Sequence, residues 1–159
     1  MSLYNRRKFI FLSLATTGCS FSPVYKSDVG PAFLRGKIVL PKPRSRNEYM
    51  LYSKLEENFG QLENPVFSLS VSYGVSSKGL GSLGSITRYN LIGDASFKLV
   101  NISTGTLIIS EKLKAFTSYS ASSQTLATET AARAAQDRLM VSIADQVSTS
   151  IIMNYNTNQ

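Results

Sequence analysis

Val66 to Ser76 reads VFSLSVSYGVS, with Phe67, Leu69, Val71, Tyr73 and Val75 at every second place and serine or glycine between them. Successive side chains of a β-strand point to opposite faces, so this period of two predicts a strand with one buried face and one face that is wet or lined by small groups. A sheet built from such strands needs cover on one side only.

Downstream, Ser77 to Ser85 (SKGLGSLGS) is rich in glycine and serine and predicts a flexible loop. A phosphate-cradling role for these glycines would need a Walker pattern and a following helix, and neither is present. The two-residue period resumes at Tyr89, Leu91, Gly93, Ala95, Phe97 and Leu99, with Arg88, Asn90, Asp94, Ser96 and Lys98 on the other face. Asn101 to Gly105 (NISTG) predicts a turn, after which Leu107, Ile109, Leu113 and Ala115 mark a returning strand. Glu111 falls on the apolar side of that count, so a bulge or an edge position is expected there.

Two helices flank these strands. Ser45-Arg46-Asn47-Glu48 has the form of a capping box, in which each end side chain satisfies the other's free backbone amide. Leu51, Tyr52, Leu55 and Phe59 follow at helical spacing and Gly60 offers a left-handed stop, so a helix is expected over Arg46 to Phe59. A longer helix, from about Gln124 to Met153 with Ser122 and Ser123 as candidate caps, carries the stripe Ala127, Ala131, Ala135, Leu139, Ile143, Val147 and Ile151, widened by Met140 and Ala144. Arg133, Asp137, Arg138 and Asp145 sit off that stripe and are expected to solvate the helix, and the tail from Asn154 is expected to fray. Gly36 to Leu40 (GKIVL), closed by Pro41 and Pro43, adds a short leading strand.

The order strand, helix, strand, strand, strand, helix predicts an α+β fold: a two-layer sandwich of about four strands covered on one face by two helices. The serine-rich opposite face is then either exposed to water or docked against a polar wall.

The N-terminus follows a different logic. Arg6, Arg7 and Lys8 precede the short apolar run Phe9 to Ala15, and Thr16, Thr17 and Gly18 lead to Cys19. A positive start, a greasy middle and a small-residue exit make an export signal, and the run is too short to span a bilayer, which takes roughly 20 residues. Cys19 is the only cysteine in 159 residues, so neither a disulfide within the chain nor a multi-thiolate metal site explains it. Thr16-Thr17-Gly18-Cys19 resembles the bacterial lipobox, although that pattern usually has leucine where Thr16 stands. The resemblance implies cleavage before Cys19 and fatty acylation, palmitate included, of that residue. Two or three acyl chains hold a protein on a membrane lastingly where one does not. Ser20 in second place implies sorting to the outer membrane. Asn5-Arg6-Arg7-Lys8-Phe9-Ile10 also looks like a twin-arginine signal, so the export route stays open between that and the general secretory one.

The expected organisation is thus a lipoprotein signal over residues 1–18, a lipidated tether over 19–32, one α+β domain over 33–154 and a disordered tail over 155–159. The whole chain carries +7. Without its first three basic residues it keeps 14 basic against 10 acidic side chains, a surplus that can favour phosphate-bearing partners. The basic residues are scattered and no RNA-binding aromatic motif accompanies them, so nucleic acid is not an expected partner. With no histidine and one cysteine, histidine-dependent triads and His/Cys metal sites are excluded, and no spaced motif for Ser-Lys or two-carboxylate chemistry appears. No cofactor and no enzymatic activity are expected.

The motifs also carry a family resemblance. Cys19-Ser-Phe-Ser-Pro-Val-Tyr25 is similar to the opening of LPS-assembly lipoproteins of the LptE family, particularly the alphaproteobacterial branch, with Ser20 in place of the common glycine. Thr87-Arg88-Tyr89, Ala95-Ser-Phe-Lys-Leu, Thr104-Gly105, Ala115-Phe-Thr-Ser-Tyr119 and the alanine-rich C-terminal helix resemble that family's core in order and spacing. The resemblance implies a non-catalytic lipoprotein on the periplasmic face of the outer membrane that plugs and helps assemble the LptD β-barrel and contacts lipopolysaccharide (LPS). Such contact needs cations for phosphates and apolar surface beside them. Lys78 and Arg88, flanking the loop between the first two long strands, are the candidates, although both also read as ordinary solvated charges. A lipid carrier with a closed cavity is the alternative, disfavoured by the small sheet, since carriers usually wrap a larger barrel around their cargo. An enzyme or inhibitor acting on cell-wall material is disfavoured by the missing catalytic signature.

Overall fold

A computed structural model of the chain describes residues 31–82 and 85–157. The signal segment, Cys19 and the tether up to residue 30 lie outside the described residues. The described part runs α1 (Pro31–Leu34), β1 (Ile38–Val39), α2 (Arg46–Phe59), β2 (Phe67–Ser82), β3 (Ser85–Asn101), β4 (Leu107–Ser120) and α3 (Thr125–Thr157). The strands form one sheet in the order β1-β2-β3-β4, with β1 parallel to β2 and the other pairs antiparallel. A parallel pair needs a crossover, which α2 supplies, whereas antiparallel neighbours need only turns.

The expected architecture is present: an α+β sandwich with a four-stranded mixed sheet, its helices packed on one face. Phe67, Leu69 and Val71 of β2 pair in register with Asn101, Leu99 and Phe97 of β3, and Leu99 with Ile109 of β4. Above this layer lie Leu51, Leu55 and Phe59 of α2 and Leu139, Ile143, Val147 and Ile151 of α3, all buried. Each large side chain buried here stabilises the fold by about 1.5–3 kcal/mol relative to exposure. At Gly93 side chains of α3 press close against the sheet. A Cβ there would lie 3.0 Å from Ile143 Cδ1 and 3.3 Å from Leu139.

Local chemistry sets the element ends. Ser45 Oγ accepts from the Glu48 amide at 3.2 Å, and the Glu48 carboxylate accepts from the Arg44 amide, one residue before the partner that a capping box predicts. Gly60 ends α2 at φ 80°, a conformation that favours glycine, with its N–H donating to Glu56 O at 2.8 Å. In the β3–β4 turn, Asn101 Oδ1 accepts from the amides of Ser103 and Thr104 at 3.0 and 3.3 Å, a turn stabilised by its own side chain.

Several expectations are corrected. The stretch from Ser77 to Ser82 is strand, paired residue by residue with β3, and β3 begins at Ser85. Glycine and serine have little strand preference, but hydrogen bonds to a neighbouring strand override it. The bulge in β4 falls at Ile108, between the pairs Leu99↔Ile109 and Val100↔Leu107, while Glu111 stays in register opposite Phe97. That bulge turns Leu107 to the far face, where it is exposed. Strand β4 is an edge, as expected, and Glu111 is accommodated there because Ser150 Oγ and Asn154 Nδ2 of α3 donate to its carboxylate.

The long helix differs at both ends. Ala127 is exposed and Ala131 half-buried, because the first turns of α3 overhang the sheet. At the other end the helix runs on to Thr157 and does not fray at Asn154: Tyr155 stacks on Phe33 at 5.5 Å and meets Phe67 edge-on at 6.0 Å. Four-residue α1, unforeseen at the sequence level, is what supplies Phe33. The off-stripe charges also do more than solvate. Asp137 takes two hydrogen bonds from Arg46 of α2 at 2.8 and 3.2 Å, which holds that guanidinium still more firmly protonated. Asp145 accepts from Asn58 at 3.0 Å, and Arg138 donates to Ser118 O at 3.4 Å. These pairs link α3 to α2 and β4.

Candidate functional site: the open face of the sheet

The helices cover one face of β2, β3 and β4 and leave the other bare. By register the bare face presents rows of three across the strands: Ser70–Lys98–Ser110, Ser72–Ser96–Lys112, Gly74–Asp94–Lys114, Ser76–Ile92–Phe116, Lys78–Asn90–Ser118 and Leu80–Arg88–Ser120. On β2 the first four of these positions are small (Ser70, Ser72, Gly74 and Ser76), whereas the middle of β4 carries the long side chains Lys112, Lys114 and Phe116.

Charge is distributed unevenly. The open face holds five cations (Lys78, Arg88, Lys98, Lys112, Lys114) and one carboxylate, Asp94; the eight other cations and eight other carboxylates of the described residues balance. The whole net positive charge of the described residues therefore lies on this face. Lys114 meets Asp94 at 3.2 Å, but both side chains are mostly exposed, so the pair is worth little. A groove of about 430 Å³ runs over Ser72, Gly74, Asp94, Ser96, Lys112 and Lys114.

Lys78 and Arg88 are brought together. Lys78 lies opposite Asn90, two places along β3 from Arg88, so the two are diagonal neighbours on one face, roughly 7–8 Å apart at the backbone. Leu80, exposed, stands directly opposite Arg88. They sit near the top of a hairpin, not on either side of a loop. Phe116 belongs to the same face and is 83% exposed, opposite Ile92. Neither it nor Lys98, Lys112 and Lys114 stood out in the sequence as site residues, although the even-numbered positions of β4 share one face once its alternation is followed.

A second groove, of about 780 Å³, lies between β4 and α3 and includes Glu111, Arg138, Ser142, Asp145, Ser150 and Asn154. Its carboxylates are already engaged by Ser150, Asn154 and Asn58. Among the described residues no group of three or more His, Cys, Asp or Glu could hold a metal ion, and no helix is long and apolar enough to cross a membrane.

The sequence profile of a family described as "LptE: Lipopolysaccharide-assembly" matches residues 36–151, most of the chain. The chain belongs to the LptE family. The family is one of lipopolysaccharide assembly, and the LptE match spans every strand and α2, together with α3 as far as Ile151. Solved structures share the fold. A Caulobacter crescentus CB15 protein described as a lipoprotein aligns with TM-score 0.64 at 16% identity, over 78% of this chain and 96% of that one. A minor lipoprotein from Acinetobacter baumannii aligns with TM-score 0.54 at 25% identity, over 74% and 90%. Rare lipoprotein B from Shewanella oneidensis aligns with TM-score 0.54 at 16% identity, over 72% and 91%. No curated protein matches the sequence significantly.

Proposed function

We propose that this LptE-family chain is an outer-membrane lipoprotein, anchored through Cys19 on the periplasmic side, that plugs and helps assemble an LptD-type β-barrel and contacts LPS with Lys78 and Arg88. The observation that carries the reading is the collection of the described residues' net positive charge onto one bare sheet face, with two cations beside Leu80 at its far end. Phosphates are held by charge-assisted hydrogen bonds, and an adjacent apolar side chain suits the acyl portion of the same molecule. Among the described residues neither Lys78 nor Arg88 joins an ion pair, so their placement favours a ligand over stability. The carrier alternative would need an enclosed apolar cavity. The covered face is instead filled by its own side chains, Phe97, Leu99, Leu139 and Ile143 among them.

Affinity isolation of the tagged full chain from detergent-solubilised outer membranes tests the plug: a stable one-to-one complex with a large barrel is expected, and bound lipid on an isolated monomer would support the carrier instead. Radioactive fatty acid should label the chain, and Cys19→Ala should abolish both label and membrane retention. Reversing charge at Lys78 and Arg88 should lower the affinity of the purified chain for LPS by about tenfold or more, the scale of one or two lost charge-assisted bonds. Unchanged affinity would remove both from the site.

A further inference from the structure

We infer that the middle of the open face, between the Lys78–Arg88 end and the β3–β4 turn, is a protein-docking surface whose partner presents carboxylates around an apolar pocket that receives Phe116. The inference rests on the plug reading, under which that partner is the polar inner wall of the barrel, and it names the side of the chain that meets the wall.

Phe116 is the first argument. A phenylalanine 83% exposed in the middle of a strand, with Ile92 as its cross-strand neighbour, has no role in the core. An isolated exposed apolar residue means little, but an aromatic one opposite another apolar side chain, with Lys114 two places along its own strand, has the make-up of an interface anchor.

Charge is the second. Lys98 and Lys112 have no ion-pair partner among the described residues, and Lys114 shares only the exposed Asp94. Three lysines on adjacent rows against one carboxylate call for acidic groups opposite. Complementary potentials of this kind set orientation and partner choice.

Shape is the third. Ser68, Ser70, Ser72, Gly74 and Ser76 form one flank with no long side chain, and a Cβ built on Gly74 would meet nothing within 4 Å. Another wall can therefore approach this flank closely and exchange hydrogen bonds with its hydroxyls. Acyl chains would gain nothing from a row of hydroxyls, which is why this part of the face fits protein better than lipid. Three strands spaced about 4.8 Å apart and the four rows from Ser70 to Ser76 spaced about 6.8 Å apart make a face of roughly 400 Å², about half of what one side of a stable interface buries, so the wall must also meet surface beside it.

The test uses the tagged full chain in membranes with three variants: Phe116→Ser, the triple change Lys98→Glu, Lys112→Glu and Lys114→Glu, and Arg133→Glu as a helix-side control. Recovered barrel per chain and LPS affinity of the purified chain are measured, and thermal unfolding reports whether each variant folds. Phe116→Ser and the triple change should each cut recovered barrel by about tenfold or more at unchanged melting temperature, while Arg133→Glu recovers it fully. Barrel recovery that survives both face variants overturns the inference and leaves the plug reading standing. Equal loss in the Arg133 control also overturns it. Loss of LPS affinity with full barrel recovery assigns the middle of the face to anionic lipid and overturns it too. No barrel with the unaltered chain overturns the plug reading itself. Should the triple change unfold the chain, Phe116→Ser alone decides.

Discussion

Phe97 and Phe116 lie on neighbouring strands of one sheet, 1% and 83% exposed. Phe97 points under the helices and Phe116 points away from them. Under the helices the covered face is apolar apart from Glu111, whose carboxylate accepts hydrogen bonds from α3, while its far end opens to solvent at Val75 and Ser77. The open face carries serine, glycine, five cations and one unburied aromatic side chain. The difference teaches that the two faces of each strand answer to separate demands: packing against the helices constrains one set of alternate residues and leaves the other set free of that demand.

That division can be broken most forcefully at the two phenylalanines. Phe97→Ala should destabilise the fold by about 3–5 kcal/mol, lowering the melting temperature by more than 10 °C. Phe116→Ala should change stability by about 0.5 kcal/mol or less. A calorimetric scan showing comparable losses would mean that the open face is part of the core after all. A smaller effect sharpens how closely the cover fits. Gly93→Val places branched carbons against Ile143 and Leu139, and should cost about 1–3 kcal/mol by overpacking. In contrast Gly74→Ala, on the same sheet but facing out, should be nearly neutral in urea unfolding.

The smallest expected effect is electrostatic. Burial, with help from Glu48 and then Tyr73, pushes the Tyr52 phenol above the ordinary tyrosine range of about 10. In the unfolded chain Tyr52 ionises first, so the stability associated with its neutral form is complete below that range and declines as pH rises through it. Tyr52→Phe should flatten this part of the pH–stability curve. An unchanged slope would assign the loss to other groups.

Much of this was legible in sequence because alternation and helical spacing are local. The period of two from Phe67 to Val75, the Ser45–Glu48 cap and the Gly60 stop each depend on residues a few places apart, and each appears where expected. The Ser77–Ser82 stretch reads as a loop in sequence because its strand character comes from β3, not from its own side chains. Glu111 does sit on an edge strand, but the bulge lies at Ile108, since a charged residue among apolar ones signals a local exception without saying that Ser150 and Asn154, about forty residues on, will satisfy it. Lys78 and Arg88 were singled out from their position beside a glycine-rich segment. That they are diagonal neighbours needed the register, and the cluster of Lys98, Lys112, Lys114 and Phe116 needed two strands aligned.

By itself, then, the sequence determined the main strands and the two long helices, the fold class and the division of each strand into an apolar and a polar side, because periodicity is written into neighbouring residues. The tertiary structure alone decided which polar sides coincide, gathering charges scattered over forty residues onto one face while those on the helical side cancel. Register and helix docking fix that sum, and both are properties of contacts between segments far apart in the chain.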